Sequence, residues 1–270
     1  MKSVLIYTTH KSASMFLHKL AANLAAELGI DAYSINNSQH FDLIKDLSWK
    51  AFIEDPARNG CFGPIRGGET ELIFPDDLSE YSVILHLRDP RDALTSLFFS
   101  HVYSHPERKG GFNPGDSARK QWEEIGIDDY VIDRTPKVKR RYHLLIDNLI
   151  KHENVRLLKY SDMVLNYPVW LDEFLAAFSH FDVPSRQLLK LVSTPNSLSS
   201  IHRRLVKKYQ NEFAPPKKED VFQHRRQIIP GDYKRKLKAS TIEKLNNEFH
   251  DVLEVLNLAQ ETKPAGVSSD

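Results

Sequence analysis

Apolar residues recur along this chain with two different spacings. Val4-Leu5-Ile6-Tyr7 is an unbroken apolar run too short for a helix, and it reads as a buried strand. Beyond it, Met15, Phe16, Leu20, Leu24 and Leu28 recur at helical intervals, with Gly29 as a natural stop. Ala32–Ile35 then reads as a second strand, which completes a βαβ unit and predicts a parallel sheet. Val83-Ile84-Leu85-His86-Leu87 is the clearest buried strand, and a helix follows from Asp92 to Ser100. Val138–Ile150 is amphipathic and helical in pattern, and Val155–Leu158 is a further strand. Helices are predicted over Trp170–Phe181 and Arg186–Val192, then a last one from Thr241 to Leu256 with Ile242, Leu245, Phe249, Val252 and Leu253 on one face. Phe52–Gly68 and His105–Asp116, rich in Gly and Pro, read as loops.

The alternation of strands and helices predicts an α/β fold: a P-loop-like, three-layer α/β/α architecture around a parallel sheet of four to five strands. No repeat or linker interrupts it, so residues 1–262 are expected to form one domain, with 263–270 a frayed tail. A chain of 270 residues, 41% hydrophobic and 27% charged, is ordinary for a globular protein. Cys61 is the only cysteine, which excludes an intrachain disulfide and any need for an oxidising compartment. No apolar run approaches the ~18–20 residues that span a bilayer. His10, Lys11 and His18 interrupt any signal-peptide core, so a cytoplasmic protein is expected.

The chemistry concentrates where the first strand ends. Thr8-Thr9-His10-Lys11-Ser12-Ala13-Ser14-Met15-Phe16 sets small and hydroxyl residues around one lysine, directly before a helix. Unpaired N–H groups at a helix start, the helix dipole and an ammonium group together make an anion site. A second motif, Leu87-Arg88-Asp89-Pro90-Arg91-Asp92, puts an arginine at the C-terminal end of a strand, where open α/β sheets bind ligands. Ser96 follows eight residues after Arg88, inside the predicted helix. Arg88 can offer a planar fork of donors to a phosphate, and Ser96 a hydroxyl.

Together these motifs resemble the cytosolic-type sulfotransferase family, which uses 3′-phosphoadenosine 5′-phosphosulfate (PAPS). That family opens with strand–T-Y-P-K-S-G-T-x-W–helix and continues with R-N-P-K-D and a serine eight residues after the arginine. Leu157-Leu158-Lys159-Tyr160-Ser161-Asp162 is similar to its strand–Y-E-D element. Arg226-Gln227-Ile228-Ile229-Pro230-Gly231-Asp232-Tyr233-Lys234 is similar to R-K-G-x-x-G-D-W-K. The matches fall in the family's order between residues 4 and 234.

The resemblance implies transfer of a sulfuryl group from PAPS to a hydroxyl or amine of a small molecule, releasing adenosine 3′,5′-bisphosphate, without a metal. It implies that Lys11 stabilises the departing phosphate, with Ser12, Ala13, Ser14 and Met15 adding amides or hydroxyls. Arg88, Ser96 and Arg226 would hold the 3′-phosphate, and Phe16 and Tyr160 the adenine. Dense basic residues from His202 to Lys238 read as a lid over an anionic ligand. The family's acceptor-side histidine in T-H-L-P has no counterpart in Cys61–Glu71. Glu69, His101 and His10 are the candidate bases, and Arg66 is a candidate contact to sulfate or acceptor. A nucleic-acid or membrane partner is not expected, and a homodimer is left open. The rival readings are a P-loop kinase, whose G-x-x-x-x-G-K-[ST] pattern is missing, and a non-catalytic nucleotide-binding protein.

Overall fold

In the computed structural model, residues 3–34, 49–66, 74–104, 115–181, 197–216, 218–223 and 226–258 are described. The strands are β1 Ser3–Thr8, β2 Asp31–Tyr33, β3 Gly60–Ile65, β4 Tyr81–Leu87 and β5 Val155–Lys159. The helices begin with α1 Ser14–Leu28, α2 Trp49–Ile53, α3 Pro90–Phe99 and α4 Gly115–Leu149. They continue with α5 Tyr160–Leu165, α6 Tyr167–Ala176, α7 Leu198–Tyr209, α8 Tyr233–Lys236, α9 Ala239–Glu248 and α10 His250–Val255. The chain gathers into two compact units: Met1–Leu87 with Leu144–Ala214, and Arg88–His143 with Pro215–Asp270.

The first unit carries a five-stranded parallel sheet in the order β2-β3-β1-β4-β5. Its central strand is buried on both faces, which is why Val4–Tyr7 is apolar without alternation. On one face Val4, Ile6 and Ile84 pack against Leu17, Leu20 and Leu24 of α1, Trp170 and Phe174 of α6, and Ile201 and Leu205 of α7. Each such side chain contributes about 1.5–3 kcal/mol when fully buried. On the other face Tyr7 stacks on Phe74 at 5.3 Å, and Phe62 meets Phe52 of α2 edge-on at 6.1 Å. An α/β class with a parallel sheet between helices is therefore observed.

The predicted loop Phe52–Gly68 is corrected: it contains β3, which pairs with both β1 and β2. Its glycines belong to the pairing. A Cβ at Gly60 would fall on the Asp31 carbonyl, and one at Gly63, whose φ is 132°, would lie 2.5 Å from the Ile6 carbonyl oxygen. Close approach of neighbouring backbones thus explains residues that read as loop punctuation.

In the second unit, Asp89 caps α3, its carboxylate accepting the Arg91 N–H at 2.9 Å, and Pro90 opens the helix. α4 consists of two helical stretches that meet at Gly126, where φ 78° and ψ 172° leave the helical region. The single C-terminal helix expected over Thr241–Leu256 is corrected to α9 and α10. Phe249, at φ −106° and ψ 16°, separates them. The predicted helix Arg186–Val192, the tail 263–270 and all but the last two residues of the predicted loop His105–Asp116 lie outside the described residues.

Candidate functional site

In the first unit the site is the turn from β1 into α1. The Thr8 hydroxyl donates to the His86 carbonyl at 2.8 Å, joining the C-terminal ends of β1 and β4. The chain then turns through Lys11 at φ 65° and Ala13 at φ 59°, both in the left-handed region that side chains with a Cβ avoid. Between them Ser12 is wholly buried, its hydroxyl 2.7 Å from that of Thr9. Ala13 occupies the N-cap position of α1, and no side chain caps that helix. A helix start without a side-chain cap is a favourable place for an anion.

Arg66, immediately after β3, donates from Nη1 to the Ser14 hydroxyl at 3.1 Å. Burial lowers the pKa of its guanidinium from the usual value. The structure therefore brings Lys11, Ser12, Ala13, Ser14 and Arg66 to one helix start. Met15 is 56% exposed. Phe16 is half-buried among other rings, edge-on to Tyr167, Tyr209 and Phe213 at 6.0, 5.5 and 5.0 Å. This cluster gives Phe16 a packing role in the described structure.

Beneath the turn lies His86, which sequence reasoning passed over as a strand residue. It is wholly buried on β4, edge-on to Trp170 at 5.6 Å and to Tyr160 at 6.5 Å. Burial pushes its pKa down to about 3, and the Ser12 backbone opposes this by less. The ring is therefore neutral at physiological pH. Tyr160, at the start of α5, is 5% exposed and shares this apolar wall.

The second unit begins at Arg88, which is 5% exposed and whose carbonyl accepts the Tyr142 hydroxyl at 2.6 Å. Its Nη2 lies 4.0 Å from Asp92 Oδ2. Asp92 also accepts the Gly231 and Tyr233 N–H groups at 2.7 and 3.1 Å. Burial raises the Asp92 pKa, and Arg88 counteracts it. Asp89 binds Arg91 rather than Arg88: the Arg91 guanidinium meets it at 2.6 Å, reaches Asn246 at 2.6 Å and lies over the Tyr233 ring. Arg91 is the largest fully buried side chain among the described residues, and its motif position alone did not distinguish it from Arg88. Ser96 is half-buried on α3, one turn beyond Asp92.

Arg226 is also buried. It donates to Glu219 and Asp232, and its guanidinium lies 3.8 Å from the Phe99 ring centroid. His101 stacks on Trp122 at 5.2 Å, with the Tyr130 hydroxyl 2.5 Å from its Nδ1. Glu69 lies outside the described residues. The basic residues of His202–Lys238, expected to form a lid, are divided between the two units. His202–Lys208 belong to α7 in the first unit, where Arg204 pairs with Glu27, and Arg226–Lys238 belong to the second unit. Among the described residues no group of three or more His, Cys, Asp or Glu side chains forms a metal site, and no helix is long and apolar enough to cross a membrane.

No protein-family model matches the chain, and no curated protein does. Among solved structures it is similar to mouse sulfotransferase SULT7A1 complexed with PAP, at 14% identity and a TM-score of 0.49, covering 96% of this chain and 87% of that one. It is similar to retinol dehydratase in a complex with retinol and PAP, at 12% identity and a TM-score of 0.45, covering 94% and 82%. A retinol dehydratase complex with androsterone and inactive cofactor PAP matches at 11% identity and a TM-score of 0.41, covering 93% and 80%.

Proposed function

We propose that this protein transfers a sulfuryl group from PAPS to a hydroxyl or amine of a small-molecule acceptor, releasing adenosine 3′,5′-bisphosphate. The observation that carries the reading is the turn before α1: two left-handed residues, Lys11 and Ala13, lead into a helix start that no side chain caps, with Arg66 on its first residue. Strained non-glycine backbone persists where the surrounding structure enforces it, and such sites are often functional. Successive N–H groups in this geometry form an anion-binding concavity.

Sulfuryl transfer breaks the bond between sulfur and the phosphate's bridging oxygen, on which negative charge grows. The Lys11 ammonium and the N–H groups of Ser14 and Met15 suit that charge, and preorganised donors stabilise the transition state most. The motif resemblance gives Arg88, Ser96 and Arg226 the 3′-phosphate and Phe16 and Tyr160 the adenine. For the acceptor's proton, the reading keeps Glu69 and His101, whose Nδ1 is held by Tyr130. The single cysteine, buried as a free thiol, suits a cytoplasmic setting.

Thermal-shift titration followed by transfer from labelled PAPS tests the proposal. Adenosine 3′,5′-bisphosphate should raise the Tm without magnesium, whereas ATP with magnesium should not. Stabilisation by ATP with magnesium alone would favour a kinase. Bisphosphate binding without transfer to any hydroxyl or amine acceptor would leave a binding protein.

A further inference from the structure

In the second unit, Glu219 occupies the anion position of two cations at once. One of its oxygens accepts from Arg226 Nη1, and the other accepts from Lys236 Nζ at 3.0 Å. Both cations lie over one aromatic surface, the Arg226 guanidinium 3.8 Å and the Lys236 ammonium 5.5 Å from the centroid of Phe99. Asp232, 2% exposed, binds the other Arg226 nitrogen and also accepts from Arg235 at 2.6 Å. Arg226 is therefore fixed by Phe99 and Asp232 whether or not Glu219 is in place. Glu219 is the more exposed of the two carboxylates, with its side chain 25% accessible against 2% for Asp232.

We propose that Arg226 and Lys236 form one phosphate subsite and that Glu219 is its internal competitor, displaced when the 3′-phosphate of the nucleotide enters. The inference rests on the nucleotide reading above and adds to it a second cation and a resident counter-ion. A carboxylate and a phosphate offer the same oxygen geometry to a guanidinium. A phosphomonoester brings about −1.5 to −2 charges against the single charge of Glu219, so it wins the exchange when it is held nearby by the rest of the nucleotide. Burial alone would raise the Glu219 pKa. The Lys236 and Arg226 hydrogen bonds more than reverse this, so the carboxylate is ionised and competes at neutral pH. The exchange sets a cost that only a ligand carrying the 3′-phosphate meets.

Isothermal titration of the full chain with adenosine 3′,5′-bisphosphate and adenosine 5′-monophosphate tests this. Glu219→Gln should bind the bisphosphate about fivefold tighter than wild type, with monophosphate affinity unchanged. Lys236→Met should weaken the bisphosphate by about fivefold and leave the monophosphate alone. Equal or weaker bisphosphate binding by Glu219→Gln, in a protein whose wild type binds it, overturns the inference alone. Undiminished bisphosphate affinity in Lys236→Met does the same, should Glu219→Gln fail to fold. A wild type that binds no bisphosphate overturns the nucleotide reading and this inference with it.

Discussion

Lys11 combines a strained backbone with a charge at a helix start, and the two have separable consequences. Lys11→Ala keeps the Cβ that the left-handed turn already tolerates, so stability should stay within about 0.5 kcal/mol of wild type. Turnover should fall by about 10²- to 10³-fold, the usual cost of removing one group that stabilises developing charge. Denaturation curves and transfer rates on the same preparation check both halves, and an active Lys11→Ala enzyme contradicts the proposal. Ala13, at φ 59°, gives the complementary case. Ala13→Gly should gain about 0.5–1 kcal/mol of stability by releasing left-handed strain. It should also bind bisphosphate more weakly, because the cradle is no longer held in shape. Tighter binding would show that the strain serves no ligand.

At the scale of elements, legibility follows the physics of each segment. β1, α1 and β4 were readable because burial on both faces or one stripe imposes a plain apolar pattern on Val4–Tyr7, Leu17–Leu24 and Val83–Leu87. β3 was hidden because Gly60 and Gly63 are small for a tertiary reason, the approach of Asp31 and Ile6, which no local pattern carries. Gly63→Ala should therefore destabilise the protein by about 1–3 kcal/mol, measurable by urea denaturation, whereas a true loop glycine without close neighbours would tolerate it.

The corner after β4 shows the same division. Arg88 and Ser96 were found by spacing. The role of Arg91 emerges only when Asp89, Asn246 and Tyr233 are seen around it. Arg91→Ala strands Asp89 and should cost about 3–5 kcal/mol, far more than a surface arginine. Loss of under 1 kcal/mol would contradict this account of the corner. The proposed general base was least legible, since its candidates Glu69 and His101 stand in segments with no motif to constrain their roles.

For the whole molecule, His86 makes stability depend on pH. Unfolded, its imidazole takes up a proton near 6.5; folded, it stays neutral down to about 3. The unfolded chain holds more protons in that interval, so the His86 contribution lowers stability progressively as pH falls from about 6.5 towards 3. The raised carboxyl of Asp92 acts in the opposite sense at the acid end, so comparison with a variant isolates the histidine. The stability of wild type relative to His86→Leu should decline between about pH 7 and about pH 5. Parallel pH profiles would contradict a buried neutral ring.

The central claim, that this chain binds a bisphosphorylated nucleotide through the Lys11 turn, with Arg88 given the 3′-phosphate by motif resemblance, is tested most directly by calorimetric affinities for adenosine 3′,5′-bisphosphate. Wild type, Lys11→Ala and Arg88→Ala should be titrated side by side without magnesium. The account predicts that wild type binds, and that each substitution weakens binding by about tenfold or more while the fold persists. Wild-type affinity in either variant, or no binding by the wild type, would contradict it.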